Sequence, residues 1–588
     1  MWGWPLARVS LSRSRCNVTD IQPPAAPAYA TDVAISIPLL GSLKQRFELS
    51  RAKHPSLAGH ARLSRRIAGL IPFYEYDEHR FFRSDDPPED IAAMRREAFV
   101  QLASLYREKF RQTSAVTAQV RAGASDLQLT HNYRVPFQYS RIVRQALSAG
   151  SVVGASSGVT FNDLDGNALY DLTGSYGVNL LGYDFYKTCI AQGAALVADL
   201  GPVLGSYHPV MAYNVERLRQ ISGMDEVSFH MSGTEAVMQA VQLARYHTRR
   251  THVVRFCGAY HGWWGDVQPG VGNPLAPRAT YTLAEMSRRS LHVLRTRRDI
   301  ACVLVNPLQA LHPNRAAPAD SSLVDSGRTA GFDRAAYTTW LQQLRNVCTE
   351  RGIALIFDEI FVGFRLAPGG AAEYFGVRPD LVTYGKTLGG GLPVGVVCGK
   401  HAFMKRYRDD RPADICLARG TFNSHPYVMG AMNVFLHRFE SPEIQRLYQG
   451  LDECWNSRAA KLNQRLASEG LPVRVENLST IWTVCYTRPS RYNWMLQYYL
   501  RAEGLALSWV GTGRLIFSLN YSDADFLTVA DRFVAAAGAM ERDGWWWCEP
   551  GTTNRSIRWR ILREIMATYR PRRTGLLRRP EPVAADAA

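Results

Sequence analysis

From about Met224 to Val397, short runs of apolar residues alternate with longer stretches of helical period. Glu226–His230, His252–Phe256, Ala301–Val305 and Ile353–Phe357 are four such runs, each of strand length. Between the first two, Met231-Ser232-Gly233-Thr234-Glu235-Ala236 opens a segment in which Val237, Ala240, Val241 and Ala244 share one helical face. Apolar strands separated by helices predict a mostly parallel sheet covered on both sides. That is an α/β fold, whose ligands gather at the carboxyl ends of the strands. Upstream, Leu63, Ile67 and Leu70, then Ile91, Met94, Phe99, Leu102, Leu105 and Phe110, predict two or more helices between about Leu40 and Arg121. The residues up to about Ile35, with the run Gln22-Pro23-Pro24-Ala25-Ala26-Pro27, are expected to be disordered.

The chemistry lies at the ends of these runs. Lys386 follows the apolar run Val382-Thr383-Tyr384-Gly385 and precedes Thr387-Leu388-Gly389-Gly390-Gly391, while Asp358-Glu359 ends the run Ile353–Phe357. A lysine amine that can hold an aldehyde as a Schiff base, with an aspartate that can keep a pyridine nitrogen protonated, is what pyridoxal 5'-phosphate chemistry requires. Taken alone, Lys386 has a less favoured alternative as a surface lysine in a turn. Ser232-Gly233-Thr234 at a helix start offers free amides and a hydroxyl to a phosphate dianion, although the same residues also make an ordinary helix cap. Tyr260, in Gly258-Ala259-Tyr260-His261-Gly262, is placed to stack on a flat cofactor or to pack beside Trp263 and Trp264. His261 reads as a structural histidine. Arg419-Gly420-Thr421-Phe422 supplies a further threonine hydroxyl in a glycine turn.

These pieces resemble the class III aminotransferases of the fold type I pyridoxal phosphate enzymes, and within them are most similar to glutamate-1-semialdehyde aminomutases. The matching segments are Asp165-Gly166-Asn167 with Asp171, Gly174-Ser175-Tyr176-Gly177, Ser232 to Ala236, Tyr260-His261-Gly262, Phe357-Asp358-Glu359 with Gly363-Phe364-Arg365, Gly385-Lys386 with Gly389 to Gly395, and Gly420-Thr421-Phe422. The resemblance implies a large domain with a mostly parallel sheet, a smaller α+β domain, and here an extra N-terminal helical extension. It implies Lys386 as the Schiff-base lysine and proton shuttle, Asp358 as partner of the pyridinium nitrogen, and Ile360 and Tyr260 on the two ring faces. Gly233 and Thr234 would hold the phosphate. Thr421 would reach the phosphate of a neighbouring subunit, which implies a homodimer. Ser175 and Tyr176 match a Gly-Ser-Trp segment of the substrate pocket, with tyrosine for tryptophan. Arg141 falls near the arginine that holds a substrate carboxylate, with Arg134 and Arg144 close by. Asn306-Pro307-Leu308-Gln309-Ala310-Leu311 stands where many relatives carry Glu-Pro-x-Gln-Gly-Glu, which disfavours ornithine-type and γ-aminobutyrate-type substrates.

The chain has 588 residues, 46% of them hydrophobic, enough for several packed domains. The expected organisation is a disordered leader over 1–40 and a helical extension over 41–125. A cofactor-binding large domain over 206–440 is expected between small-domain segments over 126–205 and 441–544, with a basic, aromatic-led tail over 545–588. Ten cysteines are scattered without a Cys-x-x-Cys pair or metal-ligand spacing, so no metal is expected and a reducing cytoplasm is. No apolar run reaches the roughly twenty residues of a membrane helix, and Met1 to Arg15 does not read as a secretory signal. The formal charge of +17 is carried mostly by arginine. Trp545-Trp546-Trp547 followed by Arg555, Arg558, Arg560, Arg563, Arg570, Arg572, Arg573, Arg578 and Arg579 could be a solvated tail, or could dock an acidic carrier protein or an anionic surface. Nucleic acid is not expected as a partner. The preferred function is transfer of an amino group between a small-molecule donor and a carbonyl acceptor. An aminomutase-type shift within one molecule is the alternative, and a non-catalytic interaction module the second alternative.

Overall fold

In the computed structural model, which describes residues 36–54, 59–132, 135–268, 273, 278–308, 333–417, 419–507 and 514–569, the apolar runs become strands. The residues up to Ile35 expected to be disordered, Arg134, the segment Gln309 to Leu311 and the arginines from Arg570 onward lie outside the described residues. Two units separate, Met1–Phe47 and Glu48–Ala588, and every site below belongs to the second.

Three strands come first: β1 (Val153–Ser157), β2 (Thr160–Asp163) and β3 (Ala168–Asp171), an antiparallel meander. The central sheet follows with β4 (Glu226–His230), β5 (His252–Phe256), β6 (Thr280–Leu283), β7 (Ile300–Val305), β8 (Ala354–Asp358), β9 (Leu381–Gly385) and β10 (Gly395–Gly399). Its order is β4-β10-β9-β8-β7-β5-β6. All its pairings are parallel except those of β10, which runs against both neighbours. Cys302, Leu304, Ala354 and Ile356 pack with Val237, Ala240 and Ala244 of the helix Gly233–Thr248, whereas Val303, Val305, Leu355 and Phe357 join a separate core. This two-residue alternation between two apolar layers is why the strands read as unbroken apolar runs. The α/β architecture is the one expected of fold type I transferases.

The remaining strands are β11 (Val473–Leu478), β12 (Ile481–Tyr486), β13 (Leu505–Ala506) and β14 (Arg514–Ile516). β11, β12 and β14 form an antiparallel sheet. β13 adds in parallel to β3, so residues beyond 500 complete a sheet begun near residue 153. The expected helices upstream are present as Ala61–Leu70, Glu78–Phe82, Glu89–Lys109 and Arg111–Gly123.

The segment led by Trp545 differs from a free aromatic tail. Trp545 and Trp546 are fully buried, and their indole N–H groups donate to the Tyr499 hydroxyl and to Asn493 Oδ1, both at 2.8 Å. Trp545 packs against Phe81, Phe82 and Phe99 of the N-terminal extension. Arg95, also fully buried, is held bidentately by Asp85 at 2.7 and 2.8 Å and donates to the Gly544 carbonyl at 2.9 Å. These tryptophans therefore cannot form a docking surface. Aromatic rings of that size are a large hydrophobic contribution that the extension and the carboxyl end bury jointly.

The helix Asn554–Tyr569 is tied down by Glu564. Its carboxylate accepts from Arg491 at 2.8 and 3.0 Å, from the Tyr76 hydroxyl at 2.5 Å and from Arg80 at 3.0 Å. Burial alone would raise the Glu564 pKa, but the hydrogen bonds and charge of Arg491, with those of Tyr76 and Arg80, outweigh it and hold the group at about 2. A carboxyl held below its ordinary value of 4.5 contributes fully above that pH and loses its contribution as the pH falls toward about 2. Glu564→Gln leaves the buried Arg491 guanidinium without its charge partner, and should cost about 3 kcal/mol at neutral pH. Denaturant unfolding of wild type and variant from neutral pH down to about pH 3 should show the difference shrinking with acidity. A difference that stays constant with pH would remove the ion-pair explanation.

Candidate active site

Because β5, β7, β8 and β9 run parallel, their carboxyl ends lie on one edge of the sheet, and the residues that follow them meet there. Asp358 is the last residue of β8 and Lys386 follows β9. Asp358 is only 3% exposed. Its Oδ2 lies 2.7 Å from His261 Nδ1, and its Oδ1 accepts from the Ile360 amide and the Thr383 hydroxyl, both at 3.3 Å. Burial lowers the His261 pKa, against the opposing pull of the Asp358 hydrogen bond and charge. The imidazole is assigned neutral, with its Nδ1–H donated to the carboxylate. Nε2 is buried without a partner among the described residues. His261 thus belongs to the site rather than to the core packing that its sequence context suggests. Its place one residue after Tyr260, beyond the end of β5, was the available signal.

Lys386 takes a left-handed conformation with φ +50°. Its Nζ donates to the Tyr176 carbonyl at 2.6 Å and lies 4.5 Å from the centroid of the Phe361 ring. Burial is the main cause that lowers its pKa from 10.5 to about 7; the Arg365 charge adds to that, and Asp358 opposes it. Arg365 is itself buried, donating to Thr480 Oγ1 at 2.9 Å and to the Phe517 carbonyl at 2.7 Å, with longer bonds to the Gly177 and Asn179 carbonyls at 3.4 and 3.5 Å. Among the described residues it makes no ion pair. Burial pulls its own pKa down to about 10.

The turn that meets Lys386 is strained. Gly174, Ser175, Tyr176 and Gly177 have φ values of +53°, +44°, +58° and +93° in succession, and side chains other than glycine's rarely adopt that region. A Cβ on Gly177 would lie 2.6 Å from the Phe361 ring and 3.5 Å from Lys386 Nζ, so this position cannot carry a side chain. Asp171 anchors the turn, accepting from the Thr173 amide and hydroxyl at 2.8 and 2.6 Å and from the Tyr183 hydroxyl at 2.8 Å. Ser175 Oγ lies 3.3 Å from that same hydroxyl. The structure therefore brings Ser175 and Tyr176, expected at the substrate pocket, to the lysine.

The helix Gly233–Thr248 is capped by Ser232, whose Oγ accepts from the Glu235 amide at 3.2 Å. The amides of Gly233 and Thr234, at its first two positions, have no intrahelical acceptor, and the helix dipole favours an anion there. A Cβ on Gly262 would come within 2.5 Å of Thr234 Oγ1, and one on Gly233 within 2.6 Å of Ile360 Cδ1. Cradle, buried carboxylate and poised amine fit a phosphorylated aromatic aldehyde. Tyr260 is 67% exposed, so its ring is not absorbed into the core beside Trp263. Thr421 is exposed. Arg141 is engaged elsewhere: it pairs with Glu75 at 3.2 Å and donates to the Tyr76 carbonyl at 3.3 Å. Asn306, just beyond β7, has a buried Oδ1 with no partner among the described residues.

A sequence profile of the aminotransferase class-III family matches residues 144–536, well over half of the chain. The chain belongs to that family. A glutamate-1-semialdehyde 2,1-aminomutase from Geotalea daltonii is 29% identical over 409 residues, covering 65% of this chain and 89% of that protein. A solved transaminase with PLP bound superposes with a TM-score of 0.59 at 24% identity, over 73% of this chain and 99% of that one. A glutamate-1-semialdehyde aminomutase from Pseudomonas aeruginosa PAO1 gives 0.60 at 17%, over 76% and 99%. These two likenesses establish the fold. Class III aminotransferases are enzymes that transfer or shift amino groups with pyridoxal phosphate.

Since burial and Arg365 act on Lys386 in the same direction, the amine of the cofactor-free protein should be neutral above about pH 7. Acylation of Lys386 by an amine-selective reagent, followed by peptide mass spectrometry, should rise around that pH. Arg365→Met removes a like charge and should move the midpoint upward. A wild-type midpoint at the ordinary value of 10.5 would contradict the assigned environment.

Proposed function

We propose that this aminotransferase moves an amino group between a small-molecule amino donor and an aldehyde or keto acceptor, with Lys386 as the cofactor lysine and Asp358 as the charge partner of the cofactor ring. The observation that carries the reading is the buried Asp358–His261 pair beside an amine whose pKa is brought to about 7. When bound, pyridoxal phosphate supplies an electron sink that stabilises negative charge on the substrate carbon as it loses a proton. The residues do the rest. Gly233 and Thr234 hold the phosphate, Asp358 holds a proton at the ring nitrogen, and His261 fixes the orientation of that carboxylate. Ile360 and Tyr260 position the ring faces. Lys386 Nζ, neutral above about pH 7, takes and returns the proton at the reacting carbon. Thr421 serves the phosphate of a second subunit, and the active unit is a homodimer.

Transfer is preferred because Arg141, near the place of the aminomutase carboxylate-binding arginine, is occupied by Glu75, and because Asn306 and Tyr176 depart from the family's pattern. An intramolecular shift is the second reading, favoured by relatives such as the Geotalea daltonii aminomutase. A cytoplasmic setting is supported by the nine cysteines among the described residues, none of which is joined to another in a disulfide. No described helix is long and apolar enough to cross a membrane.

A panel of amino donors, mixed with holoenzyme in the absence of acceptor, separates the two. Transfer releases one carbonyl product per site. A shift returns the amino group to the neighbouring carbon and releases none. Lys386→Ala should abolish turnover with every donor. Asp358→Asn keeps the shape and loses the charge, and should slow the reaction on the order of a thousandfold. Near-normal rates in the cofactor-loaded Asp358→Asn variant would remove the residue from its role.

Thr421→Ala should weaken cofactor retention by roughly 1.5–3 kcal/mol, the worth of a hydrogen bond to a charged group. Mixing Thr421→Ala and Lys386→Ala chains should restore activity in heterodimers, because one of the two shared sites then keeps both residues. Heterodimers shown to have formed but without recovered activity would return Thr421 to an ordinary turn.

A further inference from the structure

The outer face of the helix Asn554–Tyr569 carries four large apolar side chains where a surface helix is normally polar. Its inner face is anchored by the buried Ile557 and by Glu564 on Arg491. Trp559, Leu562, Met566 and Tyr569 recur at i, i+3, i+7 and i+10 and form a stripe on the opposite side. The Tyr569 hydroxyl donates to the Leu70 carbonyl, which carries the apolar surface on to Leu70 and Phe73. These six side chains are between 41% and 73% exposed. Exposed apolar side chains in a continuous group, rimmed by charge, mark an interaction surface. Arg555, Arg558 and Arg563 lie on the exposed side of the same helix, and its one acidic side chain, Glu564, is turned inward and neutralised.

We propose that this face docks peripherally on an anionic lipid surface, the helix lying in the headgroup plane with its aromatic and aliphatic stripe inserted and its arginines on lipid phosphates. Charge complementarity selects this occupant. A second copy, pairing the same face about a two-fold axis, would bring two copies of the same arginine-bearing face together. The residues after Tyr569 carry Arg570, Arg572, Arg573, Arg578 and Arg579, so they add positive charge instead of neutralising it. A stripe on the outside of a surface helix is a ridge, and a ridge suits a deformable, flat, anionic layer better than a partner helix, which needs a groove.

The test is co-sedimentation of full-length holoenzyme with vesicles of phosphatidylcholine alone and of phosphatidylcholine with phosphatidylserine, at low and high salt. Binding is expected only to the phosphatidylserine vesicles, weakening as salt is raised. Arg555→Gln, Arg558→Gln and Arg563→Gln together should reduce it roughly a hundredfold. Trp559→Ser with Met566→Ser should reduce it by about tenfold or more, since two inserted apolar side chains are lost. Turnover in solution should be unchanged in both variants, whose substitutions lie on the exposed face. No vesicle binding, or equal binding to both vesicle types, would overturn the proposal. So would binding undiminished in both variants, or a smaller oligomer in the Trp559→Ser, Met566→Ser protein, which would make the face a contact between copies. Binding of a purified acidic carrier protein at this face without any vesicle binding would assign it to that partner instead.

Discussion

A charge removed from water must find partners within the fold, and the end of the central sheet is arranged around that requirement. Asp358 is buried at the last position of β8 and is satisfied by His261, Thr383 and the Ile360 amide. Arg365 is buried beyond it, with carbonyls and a hydroxyl in place of a carboxylate. Lys386 lies in the field of both. Opposite neighbours pull its amine in opposite directions, and with burial added the neutral form prevails above about pH 7. A catalytic lysine needs that state, because a permanently protonated amine can neither condense with an aldehyde nor accept a proton.

The rest of the molecule maintains this arrangement. The turn that offers the Tyr176 carbonyl to Lys386 has four residues of positive φ and persists because Asp171, Tyr183 and the backbone around Ile516 hold it. β14 and β13 bring residues from beyond 500 to this turn and to β3. Leu505 and Leu515 of those strands share one hydrophobic core with Tyr492, Trp494 and Trp545, against which Phe81 and Phe99 pack from the helices Glu78–Phe82 and Glu89–Lys109. These two helices are thus a buried support of the strands that hold the turn.

Much of this was legible in the sequence because local signals and tertiary role agree. β4 and β5 were readable to the residue: in Glu226–His230 the apolar Val227 and Phe229 alternate with polar positions, and in His252–Phe256 Val253, Val254 and Phe256 make a short buried apolar set. The positions of Lys386, Asp358, Gly233 and Thr234 were legible because each lies at or just beyond the end of a strand. His261 was not, since a lone histidine carries no sign of which carboxylate it will meet across 97 residues. Arg141 was placed by proximity in sequence, and a nearby acidic residue, Glu75, claimed it in three dimensions. Trp545 looked like the start of a tail because Phe81, Phe82 and Phe99, against which it packs, lie more than 400 residues away. Long-range pairing of this kind leaves no periodic trace in the chain.

Whether Lys386 is the amine that holds the cofactor is open to one direct measurement. Protein loaded with pyridoxal phosphate is reduced with borohydride, digested and analysed by mass spectrometry. The account predicts a phosphopyridoxyl group on Lys386 in the peptide that contains Gly385-Lys386-Thr387, and none when Arg365 is intact but Lys386 is replaced by alanine. Labelling at another lysine, or an unlabelled Lys386 in protein that has retained the cofactor, would contradict it.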